Sequence, residues 1–362
     1  MFNLFNKSPK RKKIAVCVSG GIDSAFALFK LKRKGYDVSG ITMKYTIAGI
    51  DYPDAENLKY AEELCGKLNV TWQMVDVTKA FNEKIVDDFL RSYVAGMTPN
   101  PCALCNKYIK FGVMVDVMKK MGIDLFATGH YVRKRRIKNS DFFCVARDKR
   151  KSQEYFLALV DKDIIKSAIF PLANVTKTKV KSVMEKAGIN FRESKESQDV
   201  CFVGQSGYVS FLEQFIDTGG KYCGDIMHVD GRVLGRHKGF YQFTYGQRSG
   251  LGIGWTEPLY VIDIDSKSRS VIVGEKQYLG CREFFVKKIN CFGVFQKYNG
   301  KQMDVKTRYN AVFQKAIIHM ERDGIKVCLI NDAVNPAPGQ VCAFYDKGVL
   351  IGGGIISRKG KV

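Results

Sequence analysis

Apolar positions along the chain change their period once, near Gly204. Before it, Ile14 to Val18 is a continuous apolar run, Ser19 to Gly21 is a turn, and Ala25, Leu28, Phe29 and Leu31 recur at helical spacing. This predicts a buried strand, a tight turn and a helix over Ser24 to Lys34 that Gly35 closes. The alternation continues with a strand at Val38 to Met43, a helix over Asp54 to Leu68 opened by Tyr-Pro-Asp, and a strand at Thr71 to Val77. Helices over Ala80 to Ala95 and Ile109 to Met121 and a strand at Leu125 to Thr128 complete the series. Short apolar runs alternating with helices predict an α/β domain on an open, mostly parallel sheet covered on both faces.

After Gly204 the pattern becomes short alternating strands broken by Gly, Pro and Asp turns: Gly239 to Thr244, Leu259 to Asp265, Ser270 to Val273, Ala311 to Ile318, Lys326 to Ile330 and Gln340 to Tyr345. The chain therefore divides into a basic, flexible tip (residues 1–13), an α/β domain (14–205), a central β-rich domain (206–281) and a C-terminal β-rich domain (282–362). No internal repeat is visible, and no apolar run approaches the roughly 20 residues that a membrane span needs, so no membrane partner is expected.

Composition sharpens this in two respects. With 46% hydrophobic residues the chain can bury several cores, and its formal charge of +22 calls for a polyanionic partner. Only five apolar residues follow the basic Lys10 to Lys13, too few for a secretory core, and 11 cysteines without such a leader point to a reducing, cytoplasmic setting.

The first strand runs into Cys17-Val-Ser-Gly-Gly-Ile-Asp-Ser24 and then into a helix. Glycines let backbone approach an anion, the helix N-terminus adds positive potential, and Ser19 and Ser24 supply hydroxyl donors, so this turn is read as a nucleotide phosphate loop. Asp23 would repel phosphate; it is read either as a Mg²⁺ ligand or as a helix cap. Two cysteine motifs follow. Thr98-Pro-Asn-Pro-Cys102-Ala-Leu-Cys105-Asn106 is a proline-bounded loop ahead of a helix expected to start near Lys107, which would lower the pKa of Cys105 at the helix N-terminus. Cys201 lies in Ser197-Gln-Asp-Val-Cys201-Phe-Val-Gly204. Taken singly each would be a buried structural thiol; beside a nucleotide phosphate loop they read as a sulfur-handling pair.

The S-G-G-x-D-S pattern resembles the PP-loop ATP pyrophosphatases, which cleave ATP between the α and β phosphates. The full set of motifs resembles the tRNA-specific 2-thiouridylases. Beyond the phosphate loop these are T-P-N-P-x-x-x-C-N at Thr98 to Asn106, A-T-G-H-Y at Ala127 to Tyr131, S-Q-D-V-C-F at Ser197 to Phe202, G-Q-R-x-G-L-G-I-G at Gly246 to Gly254, V-K-T-R-Y at Val305 to Tyr309 and P-G-Q at Pro338 to Gln340. The resemblance implies a C-terminal β-barrel, ATP and Mg²⁺ as cofactors, the anticodon stem-loop of tRNA as substrate, and a persulfide carrier or cysteine desulfurase as sulfur source, with the enzyme acting as a monomer. By position it makes Cys105 the nucleophile and Cys201 the persulfide carrier. Residues Cys17, Val18, Ser19, Gly20, Gly21, Ile22, Asp23, Ser24, Met43 and Gly129 would contact ATP. Asn100, Pro101 and Cys102 would lie beside the target base, and His130, Lys151, Ser152, Gln153, Arg308, Tyr309 and Gln340 would touch tRNA.

The family's usual tripeptide is Asn-Pro-Asp, and Cys102 replaces its acid. A thiol with a pKa near ~8.5 is no substitute for a resting carboxylate. The replacement also creates Cys102-x-x-Cys105, which with Cys201 would supply the three thiolates of an iron–sulfur cluster; a tolerated substitution or a resolving thiol is the other reading. The phosphate loop alone would equally fit an amidating PP-loop enzyme such as GMP, NAD or tRNA-lysidine synthetase, and the charge alone a non-catalytic RNA-binding protein. The cysteine pair has no part in either. Between Arg133 and Lys151 nine basic residues face two acidic ones, which places the expected RNA docking surface directly after His130, with Lys177, Lys179 and Lys181 as weaker candidates.

Overall fold

The computed structural model describes residues 12–189, 191, 200–204, 206–333 and 336–357. Most of the basic tip, and Ser197 to Asp199 of the second cysteine motif, lie outside them. The N-terminal sheet contains β1 (Lys13–Cys17), β2 (Asp37–Ile47), β3 (Ile50–Tyr52), β4 (Thr71–Asp76) and β5 (Leu125–Ala127). The chain then forms a hairpin, β6 (Arg133–Ile137) and β7 (Ser140–Cys144), before returning to the sheet with β8 (Ala168–Ile169). The order is β4-β2-β1-β5-β8, all parallel, with β3 folding back antiparallel on the far end of β2. Strand β1 is central: Ile14 lies between Val38 and Leu125 and is fully buried, as expected of an uninterrupted apolar run covered on both faces.

Helices α1 (Ile22–Arg33) and α2 (Ala55–Lys67) follow β1 and β3. Asp54 caps α2 by accepting from the Asn57 amide at 2.8 Å, the arrangement that Tyr-Pro-Asp announced. Two longer helical runs cover residues 78–94 and 101–120, each with a π-helical insert, Asn82–Val86 and Cys105–Val113. The second begins well before the expected Ile109, because Pro101 is well placed in a first helical turn and Asn100 caps it. No described helix is long and apolar enough to cross a membrane.

The central sheet holds β9 (Gly224–His228), β10 (Val233–His237), β11 (Tyr260–Asp265) and β12 (Ser270–Gly274), ordered β10-β9-β12-β11. Residues 239–244, expected as a strand, instead carry a 3₁₀ turn at Phe240–Gln242. Phe240, Tyr241, Phe243 and Tyr245 are all buried, and two adjacent inward side chains are incompatible with a period of two. The C-terminal sheet contains β13 (Cys281–Cys291), β14 (Gln302–Lys306), β15 (Gln314–Glu321), β16 (Gly324–Ala333), β17 (Val341–Asp346) and β18 (Val349–Ser357). Its order β13-β16-β15-β14-β17-β18 closes through β18 pairing with β13, so the last domain is a barrel.

One connection was not visible in the sequence pattern. The β6–β7 hairpin belongs by chain order to the N-terminal half but joins the barrel sheet at Val349. Phe143 of β7 is fully buried at this seam, edge-on to Phe170 at 5.7 Å and to Phe292 of the barrel at 5.3 Å. Below it one hydrophobic core runs from Ile85, Phe89 and Ile109 through to Val286, Val327 and Phe344 without a break. Replacing Phe143 with Ala should therefore cost about 3–5 kcal/mol. Chemical denaturation should show a lowered midpoint, with Phe143→Leu recovering most of the loss; an unchanged midpoint would mean the seam does not hold the two domains together.

Candidate functional site

Strand β1 is the point where successive parallel strands depart to opposite sides, β2 one way and β5 the other, so a crevice opens beyond its C-terminal end. The phosphate-loop sequence occupies that crevice. Gly21 precedes α1 in extended conformation with no side-chain cap, leaving the first-turn amides facing outward. Gly20 adopts φ +83°, and a Cβ there would fall 2.6 Å from Asn57 Oδ1. The Ser24 hydroxyl donates to Gly21 O (2.8 Å) and accepts from the Ser19 amide (3.1 Å), which ties the loop into a fixed curve. Gly129, just past β5, lies so close to the first turn of α1 that a Cβ would approach Ser24 N to 2.8 Å. Val18 and Ile22 are buried under the loop, and Cys17 and Met43 are half-buried on β1 and β2. Outward amides and hydroxyls are the donor set a chain of phosphates requires.

Asp23 is not the helix cap but the second residue of α1. Its Oδ1 accepts from the Tyr131 hydroxyl at 2.8 Å and its Oδ2 pairs with Lys177 Nζ at 2.6 Å. The carboxylate offered to Mg²⁺ by the sequence is thus committed to bracing the loop, and Lys177, expected to face RNA, stands beside the phosphate site. Among the described residues no group of three or more His, Cys, Asp or Glu side chains is placed to hold a metal ion. The donor set Cys102, Cys105 and Cys201 therefore does not fit an iron–sulfur cluster.

The first cysteine motif also differs from expectation. Asn100 Oδ1 accepts from the Ala103 amide at 3.0 Å, so the helix starts at Pro101 and Cys105 lies a full turn inside it. Cys105 is only 8% exposed; burial pushes its thiol up to about 12, with Lys110 pulling the other way. The helix-terminus argument for an acidic thiol does not apply, because the dipole's field is felt in the first turn. Burial likewise raises Cys102 to about 11 and Cys17 to about 12. Cys201 is exposed, with its Sγ 3.5 Å from the Tyr45 hydroxyl. Its neighbour Phe202 is buried against Phe81, Phe89 and Phe211, and the Tyr52 hydroxyl donates to Phe202 O at 3.3 Å, so the chain is pinned one residue beyond the thiol.

The residues expected to touch tRNA fall into two groups. Gln340 Nε2 donates to Pro99 O (2.8 Å) and Thr98 O (3.2 Å), and its Oε1 accepts from Asn100 Nδ2 (3.2 Å). Gly339, at φ +91°, brings the barrel turn so close that a Cβ would lie 2.8 Å from Thr98 O. Arg308 Nη2 donates to Tyr245 O at 2.9 Å, linking barrel and central domain. Ser152 accepts from the Ala146 amide at 2.7 Å and donates to buried Glu154, which also accepts from the Tyr345 hydroxyl; Gln153 Oε1 accepts from the Tyr131 amide. These polar groups hold the protein together around the site. His130 is buried with Nδ1 2.8 Å from Thr128 Oγ1; burial, then Lys110, lower its pKa to about 3, so it is neutral at pH 7. Tyr309 packs on Phe156 at 4.5 Å, and Phe156 O accepts from Asn106, next to Cys105. The second group is open: all five residues of β6, Arg133–Ile137, are exposed, and Lys151 is half-buried beyond that hairpin.

Lys110 was not singled out by sequence reasoning. Five residues from Cys105 is the wrong spacing for one face of an α-helix, so periodicity held no signal for it. Since Gln340 alone bridges three groups of the 98–100 loop, Gln340→Ala should free that loop. Amide exchange at Thr98 and Ala103 should quicken by about tenfold; unchanged protection would show that the Thr98 N–H to Pro338 O bond is sufficient.

Family comparisons agree along the chain. A profile described as the tRNA methyl transferase HUP domain matches residues 12–205, its PRC-barrel companion matches 210–275, and an aminomethyltransferase beta-barrel domain matches 281–356. A tRNA-specific 2-thiouridylase MnmA 1 of Fusobacterium nucleatum is 35% identical over 98% of this chain and 96% of its own length. The MnmA of Aquifex aeolicus is 35% identical over 96% of this chain and its own full length (100%). A U34-tRNA thiolase NcsA of Methanococcus maripaludis, solved with its [4Fe-4S] cluster, is 17% identical over 52% of this chain and 60% of its own, with a TM-score of 0.35, too low to bear on the site. On full-length matches at this identity, the chain belongs to the tRNA-specific 2-thiouridylase family.

Proposed function

We propose that this enzyme transfers sulfur to C2 of the wobble uridine in tRNA, with ATP activating the oxygen that sulfur replaces. One observation carries the reading: the phosphate loop and the thiols share a single strand end. Cys17 closes β1, the loop begins at the next residue, and Cys17 packs against the buried core that contains Cys105. An activated base held at the loop would lie beside sulfur.

The outward amides of α1 with Ser19, Ser24 and Lys177 would hold the phosphates, and Mg²⁺, when bound, would neutralise their charge. The uridine C2 oxygen attacks the α-phosphorus and pyrophosphate leaves. The terminal sulfur of a persulfide on Cys201, delivered by a carrier protein or a cysteine desulfurase, adds at C2. Cys105 then attacks the Cys201 sulfur, AMP departs, and a Cys105–Cys201 disulfide remains for an external thiol to reduce. Exposure suits Cys201 to loading from a partner, and burial suits Cys105 to meeting only Cys201. The exposed basic β6 is the proposed docking edge for the anticodon stem, in a cytoplasmic enzyme acting as a monomer.

Thiolation of unmodified tRNA with ATP and a persulfide donor tests the chemistry. Cys105→Ser and Cys201→Ser should each lower the rate by at least about 100-fold, and full activity in either variant would sink the scheme. Docking is tested separately: replacing Arg135 and Arg136 with Ala should weaken tRNA binding and reduce the slope of log K against log salt by about 1–2. An unchanged slope would move the docking surface elsewhere.

A further inference from the structure

The fold-back of β3 on β2 sets two tyrosines opposite one another. Tyr45 of β2 and Tyr52 of β3 are register partners, so their side chains leave the same face of the pair. Their rings lie 5.3 Å apart and 9° from parallel, and Tyr45 stacks on Phe81 of the 78–94 helical run at 3.8 Å and 8°. The same run holds the next residue of β2: the Thr46 amide donates to Thr78 Oγ1 at 3.1 Å, and Asn82 Nδ2 donates to Thr46 O at 3.0 Å. Across the fold-back Lys44 Nζ pairs with Asp51 Oδ2 at 2.9 Å. Tyr45 is only 4% exposed, so its ring and hydroxyl have little room to move.

Both tyrosines reach the second cysteine motif, and they take adjacent residues. The Tyr52 hydroxyl donates to Phe202 O and fixes the backbone, while the Tyr45 hydroxyl lies 3.5 Å from Cys201 Sγ. In that contact a thiol can donate or accept, but a thiolate can only accept. Burial first, and then Cys201, hold the Tyr45 phenol above its ordinary pKa, so it keeps its proton and serves as the donor. Cys201 itself is exposed, which leaves the rest of its sulfur open to a reactant from outside.

We infer that Tyr45 is a positioning residue for Cys201: its hydroxyl donates to the Cys201 sulfur, aims that sulfur from a fixed ring stack, and favours its anionic form for attack on a sulfur donor. In that attack the Cys201 thiolate bonds to the outer sulfur of a donor persulfide, the donor's S–S bond breaks, and the donor departs as a thiolate. One S–S bond replaces another, so there is no net oxidation, and Tyr45 keeps its proton throughout. The step rests on the proposed sulfur-transfer reading; the hydrogen bond does not. A buried phenol thus gives an exposed thiol an orientation that its own surroundings do not impose.

The test uses the full-length chain at pH 7 with iodoacetamide, and peptide mass spectrometry at Cys201 with Cys223 of the central domain as internal reference. Tyr45→Phe keeps the ring stack and removes only the hydroxyl. Losing a hydrogen bond to an anionic sulfur should cut the thiolate fraction about tenfold. A more basic thiolate is the better nucleophile, so alkylation of Cys201 should slow by about threefold. Loading of Cys201 by a small-molecule persulfide should slow to a similar degree, and alkylation of Cys223 should not change. Loosening of the segment would expose the thiol further and speed both reactions, so the sign separates the hydrogen bond from packing. An unchanged or faster rate in either reaction overturns the inference, as does a slowing confined to Tyr45→Leu, which removes the stack as well. If Tyr45→Phe slows both reactions but Cys201→Ser thiolates tRNA normally, the functional reading falls and the hydrogen bond stands.

Discussion

A thiol in a low-dielectric interior stays protonated, and much of this site is organised around that fact. Cys105 lies behind the surface, where burial alone would make it inert. Lys110 pulls the other way without reversing the balance, so the Cys105 thiol stays above its ordinary value. Cys105 opens a π-helical insert that runs to Val113.

The helix in turn depends on what grips its start. The barrel turn at 337–340 presses on the 98–100 loop through Gln340 and Gly339, and Asn100, held on one side by Gln340, caps the helix on the other. Further links run the same way: Tyr155 donates to Val341 O of the barrel, Asn290 donates to Ala158 O and Val160 O, and the β6–β7 hairpin extends the barrel sheet. The barrel is therefore both a candidate RNA surface and the support of the thiol loop. Several residues that resemblance assigned to RNA contact are already committed to this support, and the exposed basic edge of β6 is left as the open face.

Much of the layout was legible in the chain because it rests on short-range rules. An apolar run that ends in Ser-Gly-Gly ahead of a helix reads locally as a buried strand followed by a tight turn, and Asp54 announced its helix by local capping chemistry. The misreadings have different causes. Phe240 to Thr244 alternates poorly but is strongly aromatic, and tertiary burial of neighbouring rings decided a turn. Pro101 and Asn100 together could have signalled an earlier helix start, which would have removed the argument for an acidic Cys105 from the outset.

By itself, the sequence determined the α/β and β-rich halves and the glycine-rich loop after β1, since each is carried by a contiguous motif or by periodicity. Tertiary structure alone decided that Asp23 braces Lys177 and Tyr131, that a hairpin from the first domain extends the sheet of the last, and that Gln340 of the barrel grips the 98–100 loop. Those are contacts between residues far apart in the chain, and their strength comes from burial, which no local pattern encodes.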